Sequence, residues 1–139
     1  MADHDSLDAQ VLTPEGEVFS GELFQVVTRT TAGEVGIRAR HIPMVARLVP
    51  AELRLYKSES DVDTYAQGEG WLEVFANRVR VLIAEARSPD ELDAADLRSR
   101  LEDAEQRLQE AEDGSAAQEQ AERDRARFEA FIKIAEGGP

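Results

Sequence analysis

From Leu7 to Ile83 the chain alternates apolar and polar residues in short runs. Leu7, Ala9 and Val11 fall on one side of an extended segment, with Asp8, Gln10 and Leu12 on the other. That period of two is the signature of a half-buried strand. Thr13-Pro14-Glu15-Gly16 then reads as a turn, and Val18-Phe19 begins a short second strand that Gly21 ends. Leu23 to Thr30 is a longer strand, and Gly33 and Gly36 bracket a further short piece. Met44 to Leu48 and Leu53 to Tyr56 are separated by Pro50. Ser58 to Asp63 is a polar loop, and Thr64 to Gln67 leads through Gly68 and Gly70 into Trp71 to Phe75. After the turn Ala76-Asn77-Arg78, the residues Val79, Val81 and Ile83 alternate on a last strand. Many short strands at close spacing predict an antiparallel sandwich or barrel. Parallel pairing would need crossovers of ten or so residues, for which there is no room.

The pattern changes at Ser88-Pro89. No Gly or Pro follows until Gly114, and Ala, Glu, Asp, Arg, Leu and Gln dominate. Ser88 suits an N-cap, Pro89 the first helical position, and Asp90 and Glu91 the positive end of the dipole. Leu97, Leu101, Ala104, Leu108 and Ala111 form a narrow seam suited to one partner helix. Asp113-Gly114-Ser115 breaks the run, with Ser115 able to cap a second helix. Its stripe is Ala117, Ala121, Phe128, Phe131, Ile132 and Ala135, interrupted by Asp124. So short a break implies antiparallel packing. The expected organisation is therefore an N-terminal antiparallel β-sandwich over residues 1–88 and a C-terminal two-helix hairpin over residues 89–139. The hairpin has few large apolar groups to set against the entropy of ordering it. Both a movable arm and a rigid one fit that thin seam.

Composition narrows the function. Of 139 residues, 32% are charged and the formal net charge is −13, which disfavours non-specific nucleic-acid binding and unaided adsorption to anionic lipid. Residues 89–139 are the more acidic part. There is no cysteine, so disulfides and thiolate metal sites are excluded. No stretch approaches the ~20 apolar residues that span a bilayer, so no direct membrane insertion is expected. The acidic start, Met1-Ala2-Asp3-His4-Asp5, resembles neither a secretory signal nor a transit peptide.

Catalytic chemistry is not evident. His4 lies near the terminus, and His41 follows Arg38 and Arg40 and precedes Ile42-Pro43, as a surface or interface loop residue. Neither has a neighbouring nucleophile with motif support. Gly33-Glu34-Val35-Gly36 and Gly68-Glu69-Gly70 lack the lysine and following helix of a phosphate loop, and read as turns. The acids show no calcium-loop spacing. No catalytic residue, metal ligand or cofactor is expected.

Four stretches carry a resemblance. They are Val11-Leu12-Thr13-Pro14-Glu15-Gly16-Glu17-Val18-Phe19-Ser20-Gly21; Gly33 to Ile37 with His41 to Val45; Leu48 to Arg54; and Gly68 to Val74 with Asn77 to Leu82. In order and at this spacing they resemble the epsilon subunits of bacterial and chloroplast F-type ATP synthases. The two-helix tail matches that family in length and position. The resemblance implies a non-catalytic central-stalk rotor subunit at the cytoplasmic face of the bacterial cell membrane. It would dock on the gamma subunit and on the c-ring, serve proton-driven ATP synthesis, and touch the alpha and beta subunits transiently. Glu34 and His41 match the family's ring-facing loops, with Gly33, Gly36 and Pro43 shaping them. The family's usual Pro-Gly before this histidine is here Ala39-Arg40.

The resemblance also implies that the helices can extend and suppress ATP hydrolysis. Arg123, Arg125 and Arg127 could then meet acidic surfaces of the headpiece, or they could pair with Glu119, Glu122 and Glu129 on their own helix. Some family members bind ATP through Ile/Leu-Asp-x-x-Arg-Ala. Here Leu92 and Asp93 match, but Asp96 replaces the arginine and repels phosphate, so nucleotide binding is not expected. The rival reading is a free-standing β-sandwich adaptor with a helical protein-binding arm. A nucleotide-sensing module is the third.

Overall fold

The computed structural model describes residues 5–137; His4 and the terminal Gly138-Pro139 lie outside them. The chain forms two compact units, residues 1–88 and 89–139.

The first unit holds ten strands: β1 (Leu7–Thr13), β2 (Gly16–Leu23), β3 (Gln25–Thr30), β4 (Gly33–Arg38), β5 (Met44–Leu48), β6 (Ala51–Tyr56), β7 (Val62–Gln67), β8 (Gly70–Phe75), β9 (Arg78–Ile83) and β10 (Ala86–Arg87). One layer runs β10-β7-β6-β3-β4 and the other β5-β8-β9-β1-β2. They join where Thr30 pairs with Leu48, and Thr31 N–H donates to the Arg47 carbonyl at 3.0 Å. Strand alternation delivers Leu7, Ala9 and Val11 from β1, Leu72 and Val74 from β8, and Val79, Val81 and Ile83 from β9 to one core. From the other layer come Val26, Ile37, Leu53 and Leu55. All are buried.

The core contains one polar bridge. Thr28 Oγ1 donates to Gln67 Oε1 at 2.6 Å, and Gln67 Nε2 donates to the Val49 carbonyl at 2.9 Å. Val49 lies at the bend between β5 and β6, so the bridge holds the corner where the chain passes between layers.

Several expectations are corrected. β1 pairs with β9 in parallel, Val11 opposite Val81. No helical crossover is needed, because strands β2 to β8 themselves carry the chain around. β2 runs past Gly21 to Leu23, and pairing with β1 through a register shift at Val11/Leu12 sustains it. Gly36 lies inside β4 rather than in a turn. There the Gln25 side chain covers it so closely that a Cβ would meet Nε2 at 2.7 Å. The two-residue β10 was not expected from sequence; it is too short for alternation to reveal.

In the second unit a 3₁₀ turn spans Pro89–Glu91, followed by α1 (Ala94–Glu110) and α2 (Ala116–Ala135). Asp93, rather than Ser88, caps α1, accepting from the N–H groups of Ala95 at 3.0 Å and Asp96 at 3.2 Å. Pro89 begins the 3₁₀ turn, not the α-helix. Ser115 caps α2 as expected, its Oγ accepting from Gln118 N–H at 3.1 Å. The buried seam comprises Leu97 and Ala104 against Ala121, Phe128, Phe131 and Ile134. Leu101 and Leu108 are half-buried. Ala117 is exposed, since it lies level with the turn, beyond the reach of α1. Ile134 joins the seam three residues after Phe131.

Candidate functional site

On β8, Leu72 and Val74 point into the core, so Trp71, Glu73 and Phe75 point out. On β9, Arg78, Arg80 and Leu82 do the same. Register sets Trp71 opposite Leu82, Glu73 opposite Arg80, and Phe75 opposite Arg78. Val45 on β5 lies opposite Glu73, and Leu12 on β1 beside Leu82. The result is an outer face with apolar groups at both ends. Trp71 and Leu82 form one end. Phe75, 66% exposed, stands at the other, and Val45, 70% exposed, lies midway beside Glu73. Between the ends Arg80 Nη1 lies 3.7 Å from Glu73 Oε1, and at the first end the guanidinium of Arg47, which pairs with Trp71, lies 5.7 Å from its ring. Large apolar side chains this exposed on a rigid sheet mark a contact surface. In the sequence Trp71 stands out only as a strand residue and as part of the Gly68 to Val74 stretch. Its signal was the large apolar residues at outward positions of strands whose inward positions were already filled.

The loop between β4 and β5 carries His41. Its N–H donates to the Arg38 carbonyl at 3.2 Å, and its Nδ1 lies 2.7 Å from the Ile42 carbonyl. Arg40 takes a left-handed conformation, φ 65°, and its N–H donates to Asn77 Oδ1 at 2.9 Å. Asn77 Nδ2 in turn donates to the Ser6 carbonyl at 3.1 Å. Asn77 thus fastens this loop to the β8–β9 turn and to the start of β1. The Arg38 guanidinium lies 4.3 Å from the Phe24 ring. Pro43 follows, exposed, before β5.

Glu34 is placed elsewhere. It lies at the start of β4, next to Gly33, whose φ of 124° closes the β3–β4 turn. The length from Glu34 to Arg38 is about 13 Å at ~3.3 Å per residue, so β4 holds Glu34 and the His41 loop at its two ends. Arg54 Nη2 donates to Glu34 Oε1 at 2.7 Å, with Glu52 also 3.7 Å from Arg54 Nε.

In the helical unit, Arg123 Nη2 donates to Gln120 Oε1 at 2.8 Å, and Arg125 Nε lies 3.5 Å from Glu129 Oε1. Arg127 Nη2 lies 3.6 Å from Asp124 Oδ1, and its guanidinium 4.8 Å from the Phe128 ring. These are contacts within one helix. Pairs of this spacing contribute only a few tenths of a kcal/mol each in solution. Leu92 N–H donates to the Pro89 carbonyl at 3.2 Å. The Asp93 carboxylate is taken up by its capping bonds, and Asp96 Oδ2 accepts from Arg100 Nε at 2.9 Å. Among the described residues, no group of three or more His, Asp or Glu is placed to hold a metal ion, and no helix is long and apolar enough to cross a membrane.

The family described as the ATP synthase delta/epsilon chain β-sandwich domain matches residues 6–89. The ATP synthase epsilon chain of Sulfurihydrogenibium sp. is 34% identical over 90% of this chain and 93% of its own length. That of Halalkalibacterium halodurans is 42% identical over 76% and 79%. A chain in the cryo-EM structure of the Euglena gracilis mitochondrial ATP synthase OSCP/F1/c-ring superposes with a TM-score of 0.79. It is 22% identical, with 94% of this chain and 81% of that one covered. A chain of the Tetrahymena thermophila central stalk/c-ring structure gives 0.63 at 16% identity, covering 92% and 95%. At those identities the two structures speak for the fold. The sequence matches reach over both units, and by them the chain belongs to the ATP synthase delta/epsilon family, as a non-catalytic epsilon-type chain.

Proposed function

We propose that this protein couples the gamma subunit of an F-type ATP synthase to the membrane c-ring at the cytoplasmic face of the cell membrane, and that its helical unit restrains ATP hydrolysis. The observation that carries the coupling is the exposed outer face of the β5-β8-β9-β1-β2 layer. Trp71, Leu82, Phe75 and Val45 present apolar area there, and Glu73, Arg80 and Arg47 fix its orientation. Gamma is the proposed occupant. The c-ring would meet the loops at the ends of β4, through Glu34 and the His41 loop. A connector of torque must not deform, and a two-layer sandwich with a single core resists bending. The restraint would come from the helices leaving their mutual contact and setting Arg123, Arg125 and Arg127 against acidic surfaces of the alpha and beta subunits.

Reconstitution tests both parts. The full chain, and a chain ending at Ser88, are added to a catalytic complex that contains gamma but lacks this subunit. Binding by both and lower hydrolysis only with the full chain is the expected result. Equal hydrolysis with both would remove the restraining role and leave the coupling role intact.

A further inference from the structure

The seam of α2 advances by 3, 4 and 3 residues through Ala121, Asp124, Phe128 and Phe131. An aspartate therefore occupies a position that heptad spacing reserves for an apolar side chain. It is not turned away from the partner helix, for its side chain is only 15% exposed. Oδ2 accepts from Arg107 Nη2 of α1 at 3.0 Å, and Oδ1 from Gln120 Nε2 at 2.9 Å, with Arg127 Nη2 at 3.6 Å. Arg107 Nε is at the same time held by Asp103 Oδ2 at 3.0 Å. The hydrogen bonds that Arg107 donates to Asp103, then to Asp124, raise the pKa of its guanidinium above the ordinary value.

We infer that the Asp124–Arg107 pair is a polar latch in the hairpin seam, which fixes the pairing of the two helices yet keeps their separation easy. The inference rests on the proposal that the helical unit opens. A polar pair at one core position specifies register, because shifting either helix by a turn breaks the Arg107–Asp124 contact and sets a charge against apolar seam residues. The same pair adds little net stability. Its attraction is offset by lost hydration, whereas apolar groups in its place would favour only the closed form. When the helices part, carboxylate and guanidinium recover water, and Asp103 and Gln120 remain as partners on their own helices. Ala104 and Ala121 contribute little apolar area near the latch, so the charged pair governs this stretch. A second charged contact, Arg98 with Glu136, joins the far ends of α1 and α2 and is left unaltered in the test.

The chain has no cysteine, so Ser99→Cys with Lys133→Cys gives two unique spin-label sites at exposed positions on α1 and α2. Distance distributions by pulsed dipolar spectroscopy are compared in the full chain for three forms. They are the native pair, Asp124→Asn, and Arg107→Met with Asp124→Leu. The asparagine keeps the shape and removes the charge. It should raise the open-to-closed ratio by about fivefold or more. The apolar pair should narrow the distribution onto the closed distance. An unchanged distribution in all three forms overturns the inference, as does an apolar pair at least as open as the native one. Because the readout is a distance in the isolated chain, it is separate from hydrolysis. A latch that behaves as stated in a protein without inhibitory effect would sink the restraining role alone.

Discussion

Thr28 Oγ1 donates to Gln67 Oε1 at 2.6 Å inside the sandwich, and the opposite end of the same amide donates to the Val49 carbonyl. Both side chains are shut off from water, at 1% and 0% exposure. One glutamine thus satisfies a hydroxyl on β3 and a backbone carbonyl at the β5–β6 bend. These are the elements through which the two layers connect. Replacing Gln67 by Leu leaves the buried Thr28 hydroxyl and the half-buried Val49 carbonyl without this partner, at a cost of about 1–3 kcal/mol. Urea unfolding followed by the fluorescence of Trp71, the single tryptophan, reports on this unit alone. The midpoint should fall while the slope stays the same.

Gly70 is a second point of close approach. It pairs with Leu48 on one side and Ile83 on the other, and a Cβ there would strike the Leu82 carbonyl and come within 2.8 Å of Ile83 Cα. The neighbours are backbone and cannot turn aside. Gly70→Ala should therefore destabilise the sandwich by about 1–3 kcal/mol, read from the same unfolding curve. Gly16→Ala, where no atom lies within 4 Å, tests instead the strain of a positive φ without a clash. Its cost should be the smaller of the two.

At the start of α1, Asp96 is paired with Arg100, and the resemblance to the nucleotide motif would put an arginine in its place. Asp96→Arg removes an acid from the neighbourhood of any bound phosphate and adds a cation. ATP should bind more tightly to this variant than to the native chain in titration calorimetry. Identical isotherms would show that the lost arginine is not what limits nucleotide binding.

Much of this fold was readable from alternation. Leu7, Ala9, Val11, Val79, Val81 and Ile83 all reach the core on the side their spacing predicts, because a strand has only two sides. Pairing partners were not readable in the same way. Nothing local to β1 says that its neighbour is the distant β9, and the parallel sense follows from the path of the intervening strands. The α1 boundary slipped from Ser88 to Asp93 because Ser-Pro and Asp-Ala are both plausible beginnings, and only hydrogen bonds decide between them. Asp124 was visible as a break in an apolar stripe. That it meets Arg107 could not be seen, since cross-helix pairing depends on how far the turn offsets the two helices. The outer-face patch was hidden by the same alternation that revealed the core. Trp71 and Leu82 look like ordinary strand residues until β8 and β9 are set side by side.

Docking on gamma is tested at the outer face of β8 and β9. In titration calorimetry of the full chain against a gamma-containing catalytic complex, the native protein should bind saturably, one chain per gamma. Trp71→Glu places a charge at the centre of the apolar end without touching the core, and should weaken binding by at least about tenfold. No binding by the native chain, or equal binding by the variant, would contradict the assignment of this face to gamma.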